Sequence, residues 1–375
     1  MPVTCIWMST WQRTSQVSGM AAESTPSASR ANFNGDWKSN LIRAAFVSSS
    51  PGWDWRRQFP DRVPEWDGVR FSFEPKEPAY DVLFVYDAVP HDMKLPTAGF
   101  RVFIASEPAA IKQYLPRFLA QFDLVLTTDA QTVHPNMRVT QPGVVWHAGA
   151  WDASGALKSV GTNWNDFAQL RPAKTKQISI VSSNKAYTQG HRDRLQFVER
   201  AKAYFGDELH VFGRGINTFA DKLEVLEDYR YHIALENSVF DHYWTEKLAD
   251  PFLTLTYPLY HGSQNVHDYF PKESLTRIAI SDADGAIRII KRILESDTAE
   301  RSLPYLEEAR RRVLNEHNLF SILAGVAKDV AGQRGTVQVQ GKQPKLKPER
   351  AFRPKGAKLR NSIAKRFVKV ARLFQ

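Results

Sequence analysis

The 375-residue chain contains one cysteine, Cys5. An internal disulfide is excluded, a reducing compartment is expected, and neither a thiolate zinc site nor thiolate catalysis has ligands to work with. No apolar run approaches the roughly 20 residues needed to cross a bilayer. The first thirty residues hold Ser, Thr, Ala and Gln without a continuous apolar core, so no signal peptide is expected there. Residues 1–35 read as a disordered lead-in, with Met20 as an alternative start. Net charge is also scarce outside one segment. From Lys342 to Gln375 twelve Lys/Arg stand against one acid, Glu349, a net +11 that leaves −1 for the rest of a chain whose total is +10. The basicity belongs to the tail. No basic patch or known motif in the body points to nucleic acid, and none is expected as a partner.

What is present is apolar and aromatic. A hydrophobic content of 43%, with 12% aromatic residues and ten Trp, suits a globular chain with surface for a carbohydrate. The length allows two core-bearing domains. Short continuous apolar runs predict strands over Val69–Phe73, Asp81–Tyr86, Phe100–Ala105, Phe122–Thr127 and Val144–His147. Runs without alternation imply strands covered on both faces, hence a mostly parallel sheet. This gives a first α/β region over 36–155 and a polar linker over 156–177. A second α/β region over 178–332 follows, with strands at Ile178–Ser182, Leu209–Phe212, Tyr231–Leu235, Tyr257–Tyr260 and Leu275–Ile280. Helices are expected at Gly190–Tyr204, Ala283–Ser296, Ala299–Glu316 and Phe320–Val330.

The most informative stretch runs from Tyr231 to Pro271. A strand ends abruptly in Glu236-Asn237-Ser238, Tyr243-Trp244-Thr245-Glu246-Lys247-Leu248 begins a helix, and a second strand closes on His261-Gly262. Strand, polar loop and helix start is the layout in which α/β proteins hold phosphorylated ligands. The helix start offers backbone N–H groups and a partial positive charge, and Lys247 adds a full one.

The same residues carry a resemblance. Glu236-Asn237-Ser238, the Y-x-TEKL run from Tyr243, the P-x-Y-x-G-S-x-N-V turn from Pro258 and Tyr269-Phe270-Pro271 resemble the donor-binding region of the family 10 glycosyltransferases. These are the α-1,3/1,4-fucosyltransferases, which use GDP-fucose. The resemblance is dense from Tyr229 to Ile278 and looser back to Ile178. It implies an α/β, GT-B-like fold of two Rossmann-like domains facing a cleft, and an inverting transfer of L-fucose to a GlcNAc-type or related glycan.

The chemistry sets three tasks. For the leaving diphosphate the candidates are Lys247 and Arg194, with Arg192 one turn away as the alternative; guanidinium pairs with phosphate oxygens. The resemblance supports Arg194, since the family places an Arg before apolar residues at +3 and +4, here Phe197 and Val198. Glu246 suits ribose or fucose hydroxyls, Asn237 can donate and accept to nucleotide or sugar, and Tyr243 can stack or hydrogen-bond nearby. Each also has a plain structural reading: Glu246 as a first-turn acid, Glu236-Asn237-Ser238 as a turn and cap. For the general base, Glu107 ends the run Phe100–Ala105, where α/β sheets put catalytic groups. The family's proposed base stands at a similar strand end in an E-S-P setting, where this chain has Ser106-Glu107-Pro108. Asp87 and Asp123 are fallbacks.

With the charge met by Arg and Lys, no metal and no cofactor beyond the GDP-fucose substrate is required. Asp282-Ala283-Asp284 reads as a helix cap, and Gly213-Arg214-Gly215 as a fragment of a nucleotide fingerprint. Two other functions remain open on the residues: a GT-B transferase of another nucleotide sugar, and a silent, membrane-associated glycan-binding protein. Residues 333–356 are expected to be flexible. In 357–375, Leu359, Ile363, Phe367, Val370 and Phe374 stand at helical spacing among Lys and Arg. That is a basic amphipathic helix for an anionic membrane surface, as in some bacterial members of the resembled family. A cytoplasmic protein, peripheral on the inner membrane face and acting on an oligosaccharide or glycolipid of an O-antigen, capsule or other glycan, is the corresponding expectation.

Overall fold

The computed structural model describes residues 41–50, 52–89, 96–107, 111–182, 189–213, 215–333 and 345–353. In chain order the first half holds β1 (Ile42–Ser48), β2 (Glu65–Trp66), β3 (Val69–Ser72), β4 (Ala79–Tyr86), β5 (Thr97–Ala105), α1 (Pro116–Leu119), β6 (Leu124–Thr127), β7 (Met137–Val139) and α2 (Trp164–Gln169). The second half holds β8 (Lys176–Val181), α3 (Gln189–Phe205), β9 (Leu209–Phe212), β10 (Tyr229–Leu235), α4 (Glu246–Leu253), β11 (Tyr257–His261) and β12 (Thr276–Arg277). It continues through α5 (Ala283–Leu294), α6 (Thr298–Arg301), α7 (Leu303–Asn315) and α8 (Leu319–Gln333).

The strands form two sheets, ordered β2-β3-β1-β4-β5-β6-β7 and β12-β11-β10-β8-β9. Every pairing is parallel except β2 with β3. That exception is a hairpin turned by Asp67-Gly68, both at positive φ (46° and 81°), the geometry that Asp-Gly adopts most readily. Two parallel sheets with helices on their faces make the α/β, GT-B-like fold. In a parallel sheet the C-terminal strand ends share one edge, so Tyr86, Ala105 and Thr127 stand on one rim of the first sheet. Leu235 and His261 stand on the corresponding rim of the second.

Several expectations are corrected. β1, the strand between β3 and β4, is absent from the expected strands, although Ala44–Val47 are fully buried. Val144–His147 is not a strand: Val144 makes a single parallel bridge to Asn318. Leu275–Ile280 shrinks to β12, two residues at the sheet edge. The helix expected over Ala299–Glu316 is two, because Leu303-Pro304 restarts it after Ser302; proline has no N–H to continue the ladder.

Packing also departs from the order of the chain. α8, expected to close the second region, lies on the first sheet. Its Leu319, Phe320, Leu323 and Ala324 share a core with Phe46, Phe71, Phe84 and Val102. The opposite face of that sheet is covered by α1 and by Leu346. Residues 345–353, expected within a flexible tail, are docked there: Leu115 N–H donates to Glu349 (2.9 Å) and Lys347 N–H to Gln121 (2.7 Å). The polar stretch 156–177 contains α2, which buries Phe167 in the core of the second sheet. The expected amphipathic helix, 357–375, lies outside the described residues.

Candidate active site

β10 is buried along almost its whole length and ends where Glu236 N–H donates to His261 O (2.8 Å). The Glu236 side chain is 0% exposed. Its carboxylate accepts from the Thr245 N–H (2.7 Å) and the Thr245 hydroxyl (2.9 Å). Thr245 in turn caps α4, its hydroxyl accepting from the Lys247 N–H (3.3 Å). The helix start that the sequence offers to a phosphate is therefore partly occupied by the chain's own carboxylate. Glu236 is a structural cap delivered from another element, and burial pushes its carboxyl up against the pull of Lys247.

Glu246 and Lys247 open α4 side by side. Lys247 Nζ lies 3.0 Å from Glu246 Oε1 and 3.6 Å from Glu236 Oε2. Burial alone would lower the ammonium, but Glu246 and Glu236 outweigh it and raise Lys247 above the usual lysine value. Burial likewise works to raise Glu246, and Lys247, His147 and Lys222 overcome it, holding the carboxylate well below its usual range. His147 Nδ1 and Lys222 Nζ each stand 3.9 Å from Glu246 Oε1. Lys222 also pairs with the fully buried Asp250 (2.9 Å). The two lysines alternate with the carboxylates of Glu236, Glu246 and Asp250, and Glu246 is an ionised acceptor held in one place.

Around this cluster is a cavity of about 420 Å³, lined by Tyr86, Glu107, His147, Asn237, Tyr243 and the Glu246-Lys247 pair. The walls come from both sheets. Glu107 follows β5 on the first rim and is solvent-exposed, while Glu246 and Lys247 head α4 beside the second. Partial burial and the Asp87 charge raise the Glu107 carboxyl, against Lys112 and Lys247. Tyr243 is buried, stacked on Phe240 at 4.8 Å. A larger space of about 980 Å³ adjoins, bordered by Thr128 and Asp129 on one side and by Gly190, Ser238, His242 and His261 on the other. Asn237 lines both spaces.

Arg194 reaches the site through Asn237: buried on α3, its Nη1 donates to Asn237 Oδ1 (2.6 Å). Burial lowers the guanidinium and Glu236 opposes the shift. The close approach of α3 depends on Gly190, where a Cβ would stand 2.4 Å from the Asn237 carbonyl oxygen. Arg192 donates to Gln189 Oε1 (2.6 Å), and Gln189 borders the larger space. Of the fallback acids, Asp87 accepts from the Tyr114 hydroxyl and lies 3.5 Å from Lys112 Nζ. Asp123 precedes β6, at the rim opposite the cavity, and accepts from the Arg101 N–H (2.8 Å). Asp282 caps α5 through the Gly285 N–H (2.9 Å).

Five of the six candidate residues thus meet at one cavity, and Arg194 stands behind it. Sequence reasoning missed His147, Lys222 and Tyr86. His147 hid in an apolar run that reads as a strand, though Trp146 and Trp151 around it mark an aromatic segment. Lys222 and Tyr86 have no local signal, since only the tertiary fold brings them to Glu246 and Glu107.

Residues 171–302 match the model described as "Glycosyltransferase family 10 (fucosyltransferase) C-term". The matched residues are about a third of the chain. The matched residues contain α3, β10 and α4, and so Arg194, Asn237, Tyr243, Glu246 and Lys247; Glu107 precedes them. The chain is 30% identical over 106 residues to GDP-fucose protein O-fucosyltransferase 3 of Danio rerio, covering 28% of this chain and 22% of that protein. It is 27% identical over 138 residues to 4-galactosyl-N-acetylglucosaminide 3-alpha-L-fucosyltransferase 9 of Homo sapiens, covering 36% of each. The matches thus span about a third or less of the length of these relatives. Among solved structures, an alpha1,3-fucosyltransferase aligns over 83% of this chain and 95% of its own, at 16% identity and a TM-score of 0.45.

Proposed function

We propose that the chain is an inverting fucosyltransferase that moves L-fucose from GDP-fucose to a hydroxyl of a GlcNAc-type or related glycan. One observation carries the reading: a carboxylate after β5 of the first sheet and the Glu246-Lys247 pair of the matched residues line the same 420 Å³ cavity. The names of the relatives support the donor, since one is a GDP-fucose-dependent O-fucosyltransferase and another a 3-alpha-L-fucosyltransferase.

In this reading the diphosphate lies against Lys247, whose ammonium stays charged between two carboxylates. The nucleoside extends past Asn237 into the 980 Å³ space. Arg194 orients Asn237 and supplies positive charge from behind it. Glu246, ionised and fixed, accepts hydrogen bonds from donor hydroxyls. Glu107 takes the proton of the acceptor hydroxyl as its oxygen attacks the anomeric carbon, and the bond to the diphosphate breaks with its electron pair leaving on GDP. A carboxyl raised above its usual value is better matched to that proton transfer. The test is a thermal-shift series with nucleotides and nucleotide sugars. Selective stabilisation by GDP and GDP-fucose is expected; stabilisation by UDP compounds instead, or by none, removes the donor assignment.

A further inference from the structure

We infer that Trp53, His147 and Trp151 form a preorganised subsite for the acceptor sugar, a pyranose whose apolar ring face packs on the Trp151 indole beside Trp53 while a hydroxyl meets His147. The inference rests on the transferase reading and adds the side of the site that receives the sugar.

The three rings touch one another. Trp53 lies 5.6 Å from His147 and 5.7 Å from Trp151, and His147 lies 5.6 Å from Trp151, centroid to centroid, with both Trp53 and His147 packed edge-to-face against Trp151. The cluster joins the cavity through His147, which lines it and stands 3.9 Å from Glu246. None of the three is sealed in the core: both indoles are part-exposed, and the His147 side chain is 39% exposed. Burial, with Lys222 and Lys247, lowers the imidazole, against Glu246 and Asp250. A neutral imidazole both donates and accepts, which suits a hydroxyl.

The second observation is what holds this corner. Three buried charged side chains converge on the backbone of residues 146–151. Arg57, 1% exposed, donates to the Trp146 and Ala148 carbonyls and to Thr162 O (2.8 Å). Asp221 accepts from the Gly149 N–H (2.7 Å) and the Trp151 N–H (2.8 Å). Asp250 accepts from the His147 N–H (3.0 Å). Buried charges are costly unless fully hydrogen-bonded. Here three of them fix one short irregular segment, including Gly149 at φ +77°, where a Cβ would collide with Thr162. Such bracing preorganises a binding surface, which spares the ordering cost of binding. Flat aromatic faces beside a polar cavity match the alternating apolar and hydroxylated surface of a pyranose.

The probe is a panel of methyl hexopyranosides (glucoside, galactoside, mannoside, rhamnoside and N-acetylglucosaminide). It is read on the indole N–H signals of the full chain, assigned through single Trp→Phe variants. At least one sugar is expected to shift the Trp53 and Trp151 signals saturably. Trp151→Ala should weaken that sugar by about tenfold or more, and His147→Ala should weaken it independently, while the remaining indole signals report an intact fold. The subsite is overturned if no sugar moves those two signals, if only other indoles respond, or if Trp151→Ala binds as well as the parent. GDP-fucose binding, measured by calorimetry on the same samples, separates the two readings. Sugar binding without donor binding sinks the transferase and spares the subsite; the reverse sinks the subsite alone.

Discussion

At the residue scale the site is decided by which charges are already spent. Glu236 serves Thr245, Asp250 serves Lys222 and His147, and Asp87 serves Tyr114 and Lys112. Glu107 alone among the proposed bases faces the cavity from the first rim. Glu107→Gln keeps its shape but cannot take a proton, so donor affinity should stay near that of the parent while transfer falls by about 10²–10⁴; unchanged turnover would assign the base elsewhere. Its pH dependence follows from the raised carboxyl. Activity needs the ionised form, so the acid limb of kcat/KM should lie above the ordinary glutamate value of 4.5. Asp87 is the leading charge behind that shift. Asp87→Asn should therefore move the limb to lower pH, and a limb that stays or rises contradicts the electrostatic account. Lys247→Ala removes the countercharge of Glu246 and of a fully buried Glu236. GDP-fucose binding should weaken by about tenfold to a hundredfold and Tm should fall as well. Near-parental affinity in calorimetry would remove Lys247 from the donor site.

At the element scale, much of the second sheet was legible because each strand is short, apolar and closed by a polar turn, as at Tyr231–Leu235 before Glu236. α4 was legible from the run Tyr243-Trp244-Thr245-Glu246-Lys247-Leu248, with Glu246 as a first-turn acid; its cap is Thr245 rather than the Glu236-Asn237-Ser238 turn. What escaped notice depended on distant partners. β1 reads IRAAFVS, with Arg43 and two alanines diluting the apolar run, yet both alanines are buried between β3 and β4. The apolar run at Val144–His147 mimics a strand because Trp146 is buried for packing, not for pairing. The candidate residues of α3, β10 and α4 came from local pattern and resemblance; Lys222 and His147 reach Glu246 only through the fold. α8 is the plainest case of a helix seen correctly and placed on the wrong partner. Its Phe320 sits against Phe46, Phe59 and Phe71, with ring centroids 4.5–5.2 Å apart. Phe320→Ala should destabilise the folded core of the first sheet by about 3–5 kcal/mol, read as a lowered denaturant midpoint. A change below about 1 kcal/mol would mean that α8 is not part of that core.

At the scale of the whole molecule, charge and architecture are segregated. The body nets −1 and the last 34 residues +11, so the positive charge of the chain is concentrated at one end, in residues 342–375. The docked stretch 345–353 bears on where that end begins. Leu346 is buried in the first sheet's second core, and Phe352 lies 6.3 Å from Phe118. Removing everything after Lys342 would therefore strip a piece of folded surface together with the tail. A cut after Arg353 leaves the docked stretch intact and removes seven of the twelve basic residues, with every apolar position of the 357–375 pattern. We propose that this segment attaches the chain to anionic bilayers, where each basic residue near the surface contributes about 1 kcal/mol. Truncation after Arg353 should abolish co-sedimentation with phosphatidylserine-containing vesicles while GDP-fucose affinity and Tm stay unchanged. High salt should release the full-length chain only in part, because apolar burial persists when charges are screened. Vesicle binding that survives the truncation would move the membrane contact to the body, whose near-zero net charge offers no electrostatic reason for it.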